Sequence, residues 1–136
     1  MDYSAALTAG RAAFVLLWLA CFYYLLRNLV VFCVRHGMKA AVTSKQVRSL
    51  LAYARISHPY LAVIIPLADF YHAYVMWFTH DISLKIGLGV ATAGMLSVML
   101  LLGLRLKLQP DNMMIRLAHR RGALLIIVLA VSHRLA

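Results

Sequence analysis

HPYLAVIIPLADFYH (His58–His72) and HRRGALLIIVLAVSH (His119–His133) are two apolar stretches, each opened and closed by histidines 14 residues apart. Between the histidines lie mainly Leu, Ile, Val and Ala, with Asp69, Arg120 and Arg121 as the charged exceptions. Runs of this kind are long and apolar enough to be read as membrane-crossing helices, so these two stretches decide the fold class.

The rest of the chain agrees with them. Of the 136 residues 64% are hydrophobic and only 13% charged, too few to coat a soluble domain of this size. The length limits the protein to one domain, 1–136, with no room for a catalytic head beside the membrane part. Four spans are expected: Ala12 to Val34, Ser57 to Phe78, Leu84 to Leu104 and Met113 to Leu135. Each can cross a hydrocarbon core of ~30 Å at 1.5 Å per residue. The last is the least secure, because Arg116, Arg120 and Arg121 crowd its start. The first is too long for the apolar region of a cleavable leader and has no clear small-residue cleavage site. The fold class is thus all-α, a four-transmembrane-helix bundle.

The net charge of +10 does not indicate nucleic acid, because the basic residues sit at the ends of apolar spans. The first connection holds Arg35, Lys39, Lys45, Arg48 and Arg55 without an acid; the third holds Arg105, Lys107 and Arg116. The positive-inside rule puts both in the cytoplasm and both termini outside, in a multi-pass protein of a prokaryotic inner membrane in contact with lipid. Thr43 to Arg55 is basic and partly amphipathic, and either lies on the cytoplasmic face or extends the second span.

Spans two and four then run in the same direction. The histidine interval is two heptads, so His58 and His72 share one face of their helix, as do His119 and His133. Members of a pair are separated by ~21 Å along the axis. His58 is expected level with His119 on the cytoplasmic side, and His72 level with His133 on the outer side. A haem iron takes two axial ligands on opposite faces, and facing helices of a bundle can clamp a porphyrin between them. Two bis-histidine haems, one above the other, are therefore expected. A di-metal site is disfavoured, because histidines this far apart cannot share an ion and no carboxylate cluster accompanies them. Cys21 and Cys33 form no C-x-x-C-H attachment motif, so the haems are non-covalent, of the b type. Gly89 and Gly103 on span three share the same two-heptad interval and fall at the outer and inner levels, where a helix without Cβ lets a flat macrocycle approach.

This pattern resembles the four-helix core of the cytochrome b family of the bc1 and b6f complexes. The resemblance lies in motif and topology, His-x13-His on the second and fourth helices with a glycine pair on the third, and not in continuous sequence. It implies His58, His72, His119 and His133 as iron ligands and Gly89 with Gly103 as the glycines that accommodate haem. Span one departs from the family: it has no glycine pair, and Ala6 with Ala20 is the nearest analogue. The family's Pro-Glu-Trp-Tyr type quinol-site loop and its later helices are absent, so its quinol oxidation site does not carry over. Small di-haem cytochromes of the b561 type are a related possibility with a different ligand layout.

Other residues follow from the haems. Arg55, Arg116, Arg120 and Arg121 are placed for propionates of the cytoplasmic haem, and Arg134 for the outer one. Arg27 lies deeper and needs a propionate or a lipid headgroup as partner. Asp69, three residues before His72, is a candidate to bind a quinone, carry a proton or pair with a cation. Tyr71, Tyr74, Trp77 and Phe78 read as interfacial belt, and His36 and His80 as interface residues. His58 precedes Pro59, which leaves two arrangements: His58 at the start of the span with Ser57 as cap, or a longer helix kinked there.

The expected function is electron transfer between a quinone pool and a redox partner, either a soluble carrier or a companion subunit; homo-oligomerisation is open. Two other readings remain. One is a stand-alone di-haem oxidoreductase acting on quinone or superoxide. The other is a haem-free membrane anchor or proton-relay bundle.

Overall fold

A computed structural model describes residues 2–38, 44–81 and 83–136. They form four helices: α1 (Tyr3–Arg35), α2 (Lys45–Thr79), α3 (Leu84–Leu108) and α4 (Met113–Leu135), with no strand among the described residues. Each start is capped by a short polar side chain. Asp2 accepts from the backbone N–H groups of Ser4 and Ala5, Ser44 from Val47, Ser83 from Ile86 and Asn112 from Ile115. Such caps satisfy donors that the first helical turn leaves free. The Asp2 carboxyl also accepts from the Ser4 hydroxyl, and these bonds hold it below the ordinary carboxylate range. α1 stops at Gly37, whose φ of 80° only glycine adopts freely. Met38 N–H donates to the Cys33 carbonyl and Gly37 N–H to the Val34 carbonyl, the two bonds of a Schellman ending.

α2 settles the arrangement around Pro59. The helix does not begin at His58; it runs unbroken from Lys45 through Pro59 and Pro66. Ser57 is not a cap, and its hydroxyl donates to the Ala54 carbonyl. The basic segment expected at Thr43 to Arg55 is, from Lys45 onward, an extension of α2; Thr43, like Lys39 of the same connection, lies outside the described residues.

α1, α2 and α3 are long and apolar enough to cross a membrane. α4 is not among them, although its 23 residues suffice in length, because Arg116, Arg120 and Arg121 occupy its first half. Large side chains such as Trp18, Leu67, Leu101 and Val128 point outward, while the interior is built from few and mostly small residues. A bundle with its apolar faces outside suits lipid.

Consecutive helices pack antiparallel, α1 most extensively on α2, α3 on α4, and α2 on α3. α2 and α4 therefore run parallel, and among the described residues their backbones are not closely packed. A seven-residue rhythm runs through all four helices. Ala6, Ala13 and Ala20 are the buried residues of α1. His58, Ile65 and His72 follow the same interval on α2, Gly89, Leu96 and Gly103 on α3, and His119, Ile126 and His133 on α4. The middle member of each set, Ala13, Ile65, Leu96 and Ile126, belongs to one buried apolar cluster with Ala20 and Met99. Heptad spacing keeps a residue on the same seam of a packed helix, so the bundle is layered: one level of histidines, an apolar layer, a second level of histidines.

Candidate functional site

The four histidines form two levels. The terminal level, His72 with His133, is near both chain ends; the loop level, His58 with His119, is nearer the first and third connections. The ring centres are 6.2 Å apart at the terminal level and 6.4 Å at the loop level. The rings are steeply inclined to one another, by 72° and 81° respectively.

Backbone carbonyls of the flanking helices orient the terminal pair. His72 Nδ1–H donates to the Ala6 carbonyl of α1 at 2.9 Å, and His133 Nδ1–H to the Lys85 carbonyl of α3 at 2.8 Å. A carbonyl only accepts, so each Nδ1 carries the proton and each Nε2 keeps a free lone pair. The loop pair repeats the layout one level away. The backbone of Ala20 lies near the His58 ring and that of Met99 near the His119 ring. Ala20 stands two heptads along α1 from Ala6, and Met99 two heptads along α3 from Lys85, the interval that also separates the histidines. Neither loop-level ring reaches hydrogen-bond geometry, so both nitrogens are buried without a partner.

Absent side chains make room for the rings. A Cβ added to Gly89 would lie 3.1 Å from Cε1 of His133, and one added to Gly103 would lie 3.5 Å from Cε1 of His119. The glycine pair of α3 thus sits one member at each level. Span one, which lacks a glycine pair, nevertheless supplies one glycine. A Cβ on Gly10 would come within 2.7 Å of His72 Nδ1. The sequence reading missed Gly10; the signal available was its position one helical turn after Ala6, the same interval that separates Lys85 from Gly89. Of Ala6 and Ala20, the nearest analogues, both are buried small residues and Ala6 also contributes its carbonyl. On the loop level α1 presents no glycine; the Tyr23 ring lies 6.0 Å from His58.

A cavity of about 410 Å³ opens at the terminal level. Its lining includes Gly10, His72, His133 and Asp69, together with the cations Arg11, Lys85 and Arg134 from three helices. Asp69 Oδ2 is buried there without a hydrogen-bond partner. The Arg134 guanidinium lies 5.8 Å from the centre of the Phe14 ring. Arg11 and Lys85 are further site residues that the sequence reading passed over. Arg55, Arg116, Arg120 and Arg121 lie on exposed surface toward the loop end. Arg27 is also exposed, one heptad beyond Ala20. His80 Nδ1 is 2.9 Å from the Thr79 hydroxyl, and the His36 Nδ1 bonds the Phe32 carbonyl, so both are engaged locally at helix ends.

These residues fit a haem by an independent measure. A metal–imidazole bond is about 2 Å and a ring centre lies about 1 Å behind its nitrogen, so imidazoles on opposite sides of one ion have centres about 6 Å apart. Edge-to-face aromatic contacts span a similar range. At the terminal level each Nδ1 is also backed by a carbonyl, the outer-shell contact that would fix a metal-bound histidine. Among the described residues no three His, Cys, Asp or Glu side chains gather around one point. Two imidazoles alone would leave an ion short of ligands, which a macrocycle such as a porphyrin would supply.

Comparison of the chain with protein-family models, with curated proteins and with solved structures finds no match.

Proposed function

We propose that the protein is a membrane cytochrome b holding two non-covalent haems b, one at each histidine level, and that it passes electrons between a quinone pool and a redox partner or companion subunit. The observation that carries this reading is the repetition: two histidine pairs with ring centres 6.2 and 6.4 Å apart, at equal spacing on two parallel helices. The likeness to the bc1 and b6f cytochrome b core supports it through the same four histidines and the Gly89–Gly103 pair. In this reading α4 is the fourth span, the termini are outside, and the loop level faces the cytoplasm of a prokaryotic cell.

Bound haem supplies one-electron redox chemistry. The chain does the rest. His72 with His133, and His58 with His119, offer Nε2 lone pairs from opposite sides. The Ala6 and Lys85 carbonyls hold the terminal imidazoles in one tautomer and one orientation. Gly10 and Gly89 leave the space in which the terminal rings stand. Arg11, Lys85 and Arg134 offer positive charge to propionates at the terminal level. Ala13, Ile65, Leu96 and Ile126 keep the region between the levels dry, which favours transfer of electrons over movement of ions.

The test is a reduced-minus-oxidised visible spectrum of the detergent-purified protein, with haem counted per chain by pyridine haemochrome. Two b haems per chain are expected. A single haem removes the stacked arrangement, and none in a folded, haem-fed preparation leaves the anchor or proton-relay reading.

A second reading, a stand-alone quinone oxidoreductase, is favoured by the unpartnered Asp69 oxygen in the terminal cavity. In that case the isolated protein turns over quinol and Asp69→Asn abolishes turnover while leaving the haem count at two.

A further inference from the structure

The terminal cavity is lined by all four helices, and the seams between them are not equally tight. α1 packs on α2, α2 on α3 and α3 on α4, whereas the backbones of α1 and α4 are, among the described residues, not closely packed. The bundle is thus two hairpins joined along the α2–α3 seam, with the α1–α4 seam as the free edge opposite. Separating α1 from α4 disrupts the least packing, so an interior cavity opens most readily there.

One side-chain contact crosses that edge beside the cavity. The Arg134 guanidinium of α4 stands 5.8 Å from the centre of the Phe14 ring of α1, and both residues line the cavity. Phe14 is half-buried and Arg134 exposed, which puts the contact on the outer side of the seam. Helical side chains lean toward the N-terminus of their own helix. Because α1 and α4 are antiparallel, Phe14 leans toward the terminal end and Arg134 away from it, and the two meet. A cation beside an aromatic ring is a modest attraction, enough to bias a seam closed without sealing it. The repeat that duplicates the histidines does not duplicate this contact. Two heptads along α1 from Phe14 stands Asn28, and two heptads before Arg134 stands Arg120, both exposed. Asn28 has no ring, so the loop level lacks the pair.

We propose that the α1–α4 seam is the lateral portal by which haem reaches the terminal histidine pair, with Phe14 and Arg134 as its latch. The proposal rests on the cytochrome reading. α1 and α4 part about the α2–α3 seam, and Gly10, one turn before Phe14 in the cavity lining, leaves that stretch of α1 without a side chain in the path. A latch is crossed in both directions. Weakening it therefore speeds entry and exit by the same factor and leaves affinity unchanged, whereas loss of a contact to bound haem speeds exit alone.

The experiment uses two single-site forms, His58→Ala to keep the terminal haem and His72→Ala to keep the loop haem. Association of ferric haem with the detergent-purified apoprotein is followed by stopped flow at the Soret band, and dissociation by transfer to excess apomyoglobin. Phe14→Leu keeps an apolar side chain and removes the aromatic face. In the terminal-haem form it is expected to raise both rates by about three- to tenfold with Kd unchanged. Phe14→Trp, a better partner for a cation, should lower both rates. Neither change should alter the rates in the loop-haem form. Unmoved rates in Phe14→Leu overturn the portal. So does faster dissociation alone with weaker binding, which makes Phe14 part of the bound site, and so does equal acceleration at the loop level, which is general loosening. Failure of both single-site forms to bind haem refutes the cytochrome reading and the portal with it, while normal binding with unmoved rates refutes the portal alone.

Discussion

Gly10 and His72 are fitted to each other: a Cβ on Gly10 would stand 2.7 Å from His72 Nδ1, the atom that donates to the Ala6 carbonyl one turn earlier on the same helix. The imidazole reaches that carbonyl only because residue 10 has no side chain.

Gly10→Ala is therefore expected to push the His72 ring off its carbonyl. Overpacking of this kind costs about 1–3 kcal/mol. Thermal unfolding in detergent should show the loss, and one of the two haems should dissociate or broaden in the visible spectrum while the other is unchanged.

The glycines of α3 predict a graded series. Alanine at Gly89 presses on His133 at 3.1 Å, alanine at Gly103 meets His119 at 3.5 Å, an ordinary contact, and alanine at Gly94 meets nothing within 4 Å. Helix propensity favours alanine by about 0.5–1 kcal/mol at any unhindered position. Gly94→Ala and Gly103→Ala should be neutral or stabilising, and Gly89→Ala destabilising. Melting temperatures falling in any other order contradict the packing described.

The histidines should act in pairs. His72→Ala and His133→Ala should each remove the same haem, and the double variant should look like either single one. His58→Ala and His119→Ala should remove the other haem. Stoichiometry near one haem per chain in each single variant is the expected result. Four independent partial losses would show that the levels are not ligand pairs.

The Asp2 cap predicts a pH dependence at the start of α1. Its carboxyl is held below the ordinary value, mainly by the Ser4 hydroxyl and then by the Ala5 N–H. A lowered carboxyl stabilises the folded form fully above the unfolded pKa of about 3.9, and that contribution is lost as pH falls through the folded value. Amide exchange at Ser4 and Ala5, corrected for intrinsic rates, should show protection that falls as pH drops below about 4. Asp2→Asn should make that protection insensitive to pH.

Several of these relationships are visible in the residues alone. The two-heptad histidine spacing identifies the helical faces, and parallel spans two and four put His58 level with His119 and His72 with His133. Gly89 and Gly103 join the same levels for the same reason: heptad periodicity is a local property, readable from side-chain identity. Asp69 stands out as the carboxylate lying between the two histidines of span two.

This layering is legible without coordinates, because the number, length and phase of the helices depend on apolar runs and on spacing. The contacts between layers are not, because they depend on how the helices pack. Carbonyls of Ala6 and Lys85 have no side-chain signature, so nothing in the sequence marks them as histidine partners. Gly10 matters only because α1 packs on α2 in one register. The continuation of α2 through Pro59 to Lys45 was open on local grounds, since proline disfavours helix before it and packing against α1 can override that preference. Arg27 continues the seam of Ala6, Ala13 and Ala20 by one heptad and is nevertheless exposed, because burial along that seam ends where the neighbouring helices stop covering it, which only the packed lengths decide.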